Sequence, residues 1–138
     1  MQHLHNYTLG QWAPGSGDGI PQYHALTGEI VSTASSEGLD YTAILDYARK
    51  TGGPVLRRMT FQERGRMLKA LALYLLERKE KYYQVSHTTG ATRADSWVDI
   101  EGGIGNLFAN SSLRRKFPNE PYYVEGETVR LYLPHVIP

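Results

Sequence analysis

The chain contains no cysteine. That absence excludes disulfides, thiolate zinc sites and any thiolate nucleophile within these 138 residues. Long apolar runs are missing too, and no window approaches the roughly 18 residues of a membrane span. Nor is there an excess of charge of one sign, since 15 basic residues stand against 14 acidic ones, a formal net charge of +1. Without a global field, neither nucleic acid nor a membrane surface is expected as a partner. The basic clusters Arg57-Arg58 and Arg114-Arg115-Lys116 read as solvated surface. The opening "MQHLHNYTLGQW" lacks both a charged segment and an apolar run. No secretory signal is therefore expected, and the chain reads as soluble and cytoplasmic.

What is present suggests an α+β unit, with two β-hairpins flanking three amphipathic helices. We expect one domain over 1–138, with a hairpin region over 1–38, a helical region over 39–112 and a hairpin or strand region over 121–138. "YTLGQW" and "QYHALTGEIVSTAS" have an extended pattern, interrupted by Gly15, Gly17 and Gly19 and turned again at Thr27-Gly28-Glu29. This predicts two or three short strands paired as hairpins.

The helical region has visible punctuation. Asp40 can cap a helix whose apolar stripe is Ala43, Ile44, Tyr47 and Ala48, with Gly52-Gly53-Pro54 as its stop. Thr60-Phe61-Gln62-Glu63 has the form of a capping box, in which threonine and glutamate each satisfy a free amide. Met67, Leu68, Leu71, Leu75 and Tyr82 then recur at helical spacing, and Gly90 terminates. In the third helix Ser96 is the expected cap, with a stripe of Trp97, Ile100, Ile104, Leu107 and Phe108. Beyond it, Glu125-Gly126-Glu127 reads as a turn, and Val129, Leu131 and Leu133 alternate as in a strand.

Few residues invite a chemical reading. Gly103-Ile104-Gly105 resembles part of a phosphate-cradling loop, but the third glycine of the dinucleotide pattern would fall at Phe108. "GSGDG" lacks the lysine and hydroxyl ending of a P-loop. Asp95, Asp99 and Glu101 are candidates for acid/base work, although a helix start accounts for the first two through the macrodipole. His3 and His5 offer a metal two ligands and no evident third, while His24, His87 and His135 are scattered. Ser86 and His87 are adjacent, which on a helix turns them about 100° apart, unsuitable for a proton relay. Read from the residues, the chain has no catalytic, cofactor-binding or metal site of its own.

The order of these pieces resembles the N-terminal part of the aldehyde dehydrogenase superfamily. Gly10-Gln11-Trp12 matches its opening strand, and Thr27-Gly28-Glu29 its hairpin turn. The alanine-rich helix falls at Leu39–Lys50. Thr60, Glu63 and Arg64 match its next helix start, and Thr88-Thr89-Gly90 its helix end. "TTGATRADSWVDIEGGIGNLF", "SSEGLD" and "MTFQERGRMLKALA" resemble the phenylacetate-degradation bifunctional type, and also the semialdehyde dehydrogenases of coenzyme-A-linked benzoate breakdown.

The resemblance implies an α/β parent in which a cysteine attacks an aldehyde, hydride passes to NADP or NAD, and water releases the acid. Some members carry an enoyl-CoA-hydratase domain further on. The family's nucleophile, activating glutamate, asparagine and cofactor lysine all match motifs beyond residue 138, so none is carried over. The expectation is an inactive N-terminal segment that binds no cofactor itself. Its uncovered apolar stripes would associate with one another or with the remainder of a dehydrogenase. A free-standing interaction or assembly module is the alternative.

Overall fold

The computed structural model describes residues 2–125 and 128–130. The chain is α+β. Its first strands are β1 (Gln2–Thr8), β2 (Gln11–Pro14), β3 (Ile20–Tyr23) and β4 (Ile30–Ala34), arranged in one sheet in the order β2-β1-β4-β3. Leu9 and Gly10 join β1 to β2 with φ of 52° and 82°. Two positive-φ residues give the primed two-residue turn whose twist suits a hairpin. The turn after β3 is closed by the Glu29 carbonyl, which accepts from the His24 amide at 2.8 Å.

Hairpin pairing of the first strands agrees with expectation, but there are four of them rather than two or three, making two hairpins before the helices instead of one. A parallel pairing of β1 with β4 joins the hairpins, with Gln2 opposite Ser32 and Leu4 opposite Ala34. Turn residues specify antiparallel neighbours close in sequence. A parallel partner some thirty residues away leaves no comparable local signal.

Asp40 caps α1 (Tyr41–Tyr47), its carboxylate accepting from the Ala43 amide at 2.9 Å. The expected stop at Gly52-Gly53-Pro54 is wrong. The helix widens into a π-type turn over Ala48–Gly52 and continues as α2 (Gly53–Arg58). In that turn the Gly53 amide donates to the Ala48 carbonyl, five residues back. Pro54 then occupies the first turn of α2, where a missing N–H is tolerated, and Gly53 has no Cβ to meet its ring. Of the expected stripe, Ala43 and Ile44 are half-buried, while Tyr47 and Ala48 are exposed.

The capping box at Thr60 forms as expected. Its hydroxyl accepts from the Glu63 amide at 3.2 Å, and the Glu63 carboxylate accepts from the Thr60 amide at 2.8 Å. It opens α3 (Phe61–Glu77). Arg78, at φ −107° and ψ 11°, breaks the run before α4 (Lys79–Thr88). Gly90 ends it at φ +82°, donating to the His87 carbonyl.

The third helix is α5 (Arg93–Trp97), a second π-type turn at Val98–Gly102, and α6 (Gly103–Ser112). Its cap is Thr92, not Ser96. The Thr92 hydroxyl accepts from the Asp95 amide at 3.2 Å and donates to the Asp95 carboxylate at 2.7 Å. Ser96 is instead buried inside the first turn, donating to the Thr92 carbonyl at 2.9 Å. The extra residue of the π-type turn shifts the helical register, so Trp97 leaves the stripe and is exposed while Ile104 is buried.

A tight turn at Leu113–Lys116 leads to β5 (Tyr123–Glu125) and β6 (Thr128–Arg130), which pair antiparallel. The expected turn residues Gly126 and Glu127, and the alternation at Leu131 and Leu133 within 131–138, lie outside the described residues.

The core sits where α3 meets α6. A Cβ at Gly65 would lie 2.9 Å from the Ser111 carbonyl oxygen and 2.7 Å from the Arg114 Cβ. The buried face of α3 therefore runs through Gly65 and Ala72, flanked by half-buried Leu68 and Leu75. The expected stripe is displaced, because the smallest residues admit the α6 backbone while Met67 and Leu71 stay 44% and 45% exposed. Large apolar side chains elsewhere are more open still, with Ile20 at 72% and Trp12 at 68%. No helix among the described residues is long and apolar enough to cross a membrane.

Candidate functional site

The π-type turn at Val98–Gly102 turns Glu101 toward α4. Its Oε1 accepts from the Tyr83 hydroxyl at 2.8 Å and from the Lys79 ammonium at 3.0 Å. Lys79 and Tyr83 are four apart on α4, hence on one face. The Arg93 guanidinium lies 4.5 Å above the Tyr83 ring and 3.6 Å from the Glu80 carboxylate. Ser86 and Ser96 share a hydroxyl–hydroxyl bond of 2.8 Å. Beside this network is an open cleft of about 360 Å³ lined by Glu80, Tyr83, Gln84, His87, Arg93 and Ser96.

The electrostatics favour structure over proton transfer. The hydrogen bond from Tyr83, reinforced by Lys79, holds the Glu101 carboxyl below its ordinary range. Desolvation, and then the bond to Glu101, pushes the Tyr83 phenol above its own. At neutral pH the pair is a carboxylate and a phenol, each locked in its resting form. A general base would need the opposite tuning of its carboxyl.

The three sequence candidates for acid/base work do not converge. Asp95 is engaged with its cap partner Thr92, Asp99 is exposed in the π-type turn, and Glu101 is ion-paired. Lys79 and Tyr83, which sequence reading passed over, meet Glu101, and Ser86, weighed only beside His87, meets Ser96. Their three- and four-residue spacing along α4 was the available signal.

Gly103-Ile104-Gly105 lies inside α6, not in a loop. The Gly103 amide is already bonded to the Asp99 and Ile100 carbonyls, so it offers nothing to a phosphate. A Cβ at Gly102, Gly103 or Gly105 would meet nothing within 4 Å. Within the described residues the close helix contact is made at Gly65 instead. The open face of α6 adjoins a shallow apolar groove of about 270 Å³ formed by Leu75, Tyr82, Ile100, Ile104 and Leu107.

The histidines are less scattered than the sequence suggests. The His24 ring stands edge-on to His87 with centroids 5.8 Å apart, where the Ala25 amide donates to the Thr88 carbonyl at 2.8 Å. This contact ties the β3–β4 turn to the end of α4. His3 Nδ1 meets the Thr33 hydroxyl at 2.6 Å, and His5 borders an open concavity of about 810 Å³ with Asp18, Gln22, Glu37 and Tyr41. His135 lies outside the described residues. Among those described, no three metal-ligating side chains are grouped.

No protein-family model matches the chain. It is 37% identical over 102 residues to the 3,4-dehydroadipyl-CoA semialdehyde dehydrogenase of Aromatoleum evansii. That alignment covers 73% of this chain and 20% of the enzyme, so the chain spans about a fifth of the relative's length. The likeness supports the aldehyde dehydrogenase resemblance carried by Gly10–Trp12, Thr27–Glu29 and Thr60–Arg64.

Proposed function

We propose that this chain is the N-terminal scaffold segment of an NAD(P)-dependent dehydrogenase that oxidises an acyl-CoA semialdehyde in aromatic-compound breakdown, without catalytic machinery of its own. The identity to a semialdehyde dehydrogenase over 73% of the chain carries this reading. The chemistry of the residues agrees with it. A covalent route through a thiolate has no starting group here, because the sequence has no cysteine. The network of Lys79, Tyr83 and Glu101 holds Glu101 ionised and Tyr83 protonated, which suits a structural joint. The NADP or NAD and the nucleophile belong to the remainder of the dehydrogenase, as does any hydratase domain.

Physical support comes from what the fold leaves uncovered. The helix face at Gly102, Gly103 and Gly105 is open, and the apolar groove beside it is unfilled among the described residues. Such surfaces suit close packing against further polypeptide. The same exposure favours a second reading, an assembly module that covers its strands by pairing with copies of itself.

The test replaces the aligned segment of the Aromatoleum enzyme with this chain. The chimera is expected to reduce nicotinamide with 3,4-dehydroadipyl-CoA semialdehyde, while the purified chain alone does not. Turnover by the isolated chain would refute the scaffold reading. A chimera that is soluble yet no more active than the enzyme lacking the segment would do the same.

A further inference from the structure

Arg64 carries a guanidinium edge that no described residue pairs. Its Nε and Nη2 are shielded from water and have no hydrogen-bond partner among the described residues. Together these nitrogens make the edge that can hold both oxygens of one carboxylate. The Phe61 ring lies 4.5 Å from the guanidinium carbon, which engages one face and leaves the edge unmatched. Nearby polar groups are committed elsewhere. The Glu63 carboxylate accepts from the Thr60 amide, and the Gln62 amide donates to the Arg114 and Phe117 carbonyls at 2.6 and 3.2 Å.

Shielding a charge without a partner weakens a fold, and an apolar side chain of similar length would fill the space at less cost. The position of Arg64 offers a reason for the charge. It heads a row along α3 in which Met67, Leu71 and Tyr74 follow at helical spacing, all of them exposed. An unmatched guanidinium beside an open apolar row has the make-up of an interface with one side removed.

We propose that Arg64 is a docking residue whose Nε and Nη2 take a carboxylate side chain from the part of the dehydrogenase outside this chain. This rests on the scaffold reading above. Charge complementarity defines the partner surface as a carboxylate flanked by apolar side chains that cover Met67 and Leu71. The alignment leaves most of the relative's length available to supply it. Arg64 as a whole is only partly buried, so its side chain lies near the surface of α3, where further polypeptide can pack against it.

The experiment compares Arg64→Met and Arg64→Lys in the isolated chain and in the chimera. In the isolated chain Arg64→Met raises the melting temperature by about 3 °C, because an unpaired charge is removed. In the chimera the same change lowers the melting temperature, and Arg64→Lys restores only part of the loss because an ammonium cannot grip both oxygens. A fall in melting temperature of the isolated Arg64→Met chain would show an internal role and overturn the proposal. So would an active chimera that is indifferent to Arg64→Met. If Arg64→Met instead dissociates oligomers of the isolated chain, the carboxylate comes from a second copy and the assignment is wrong. An inactive chimera carrying Arg64 removes the scaffold reading itself, a failure distinct from the other three.

Discussion

Tyr83 on α4 donates its phenolic hydrogen to Glu101 across 2.8 Å, and the π-type turn makes that meeting possible. The bond shifts both groups, in opposite senses for their charge. Because the Glu101 carboxyl is held low, its contribution to stability is complete above the unfolded value of about 4.3 and disappears as pH falls through the lower folded value. Because the Tyr83 phenol is held high, its contribution is complete below about 10 and disappears as pH rises through the raised folded value. Urea midpoints measured across pH should therefore fall at both ends. Glu101→Gln should flatten the acid limb, and an unchanged acid limb in that variant would contradict the coupling.

Two glycines should respond oppositely to the same substitution. At Gly65 a methyl meets the Ser111 carbonyl at 2.9 Å, so Gly65→Ala should destabilise the isolated chain by about 1–3 kcal/mol. At Gly105 a methyl meets open space, so Gly105→Ala should stabilise it by about 1 kcal/mol through helix propensity. Denaturant titration reads both. In the chimera Gly105→Ala should lose its gain, because the scaffold reading places another backbone against that face.

The cap of α5 can be separated from its buried serine. Thr92→Ala removes an acceptor at the helix start and should cost about 1 kcal/mol, rescued by Ser or Asp at the same place. Ser96→Ala should act differently, leaving the Ser86 hydroxyl without its 2.8 Å partner. Equal stability of Thr92→Ala and the parent chain would move the cap elsewhere.

Exposed strand residues should govern association of the isolated chain. Ile20 lies on β3, an edge of the sheet, and Trp12 on β2, the other edge. Sedimentation at rising concentration should show oligomers, with binding of a hydrophobic dye. Ile20→Lys should shift the distribution toward monomer, since a charge on an edge strand opposes pairing. A monomer at every concentration, without dye binding, would remove this expectation.

Local chemistry made several elements readable before any coordinates. Asp40, the Thr60–Glu63 box and Gly90 mark helix ends because capping depends on residues three or four positions away. Gly52-Gly53-Pro54 misled for a related reason. Its residues stop an ordinary α-helix, yet a wider turn carries the chain past them. Ser96 looked like a cap because it precedes the apolar run, whereas Thr92 holds the reciprocal pair with Asp95.

The candidate site was less readable. Glu101 was visible as a carboxylate, but its partners depend on a single extra residue in a helical turn. His24 and His87 are more than sixty positions apart and meet only because the β3–β4 turn is tied to the end of α4. No periodicity reports such a contact.

The amino-acid sequence by itself determined the order of elements, the caps, the hairpin turns and the lack of a thiol. Each follows from side-chain and backbone chemistry acting within a few residues. Tertiary structure alone decided the parallel β1–β4 pairing, the choice of Gly65 over the α6 glycines as the close contact and, among the described residues, the unmatched edge of Arg64. Those depend on which distant surfaces meet, and on which are left without a neighbour.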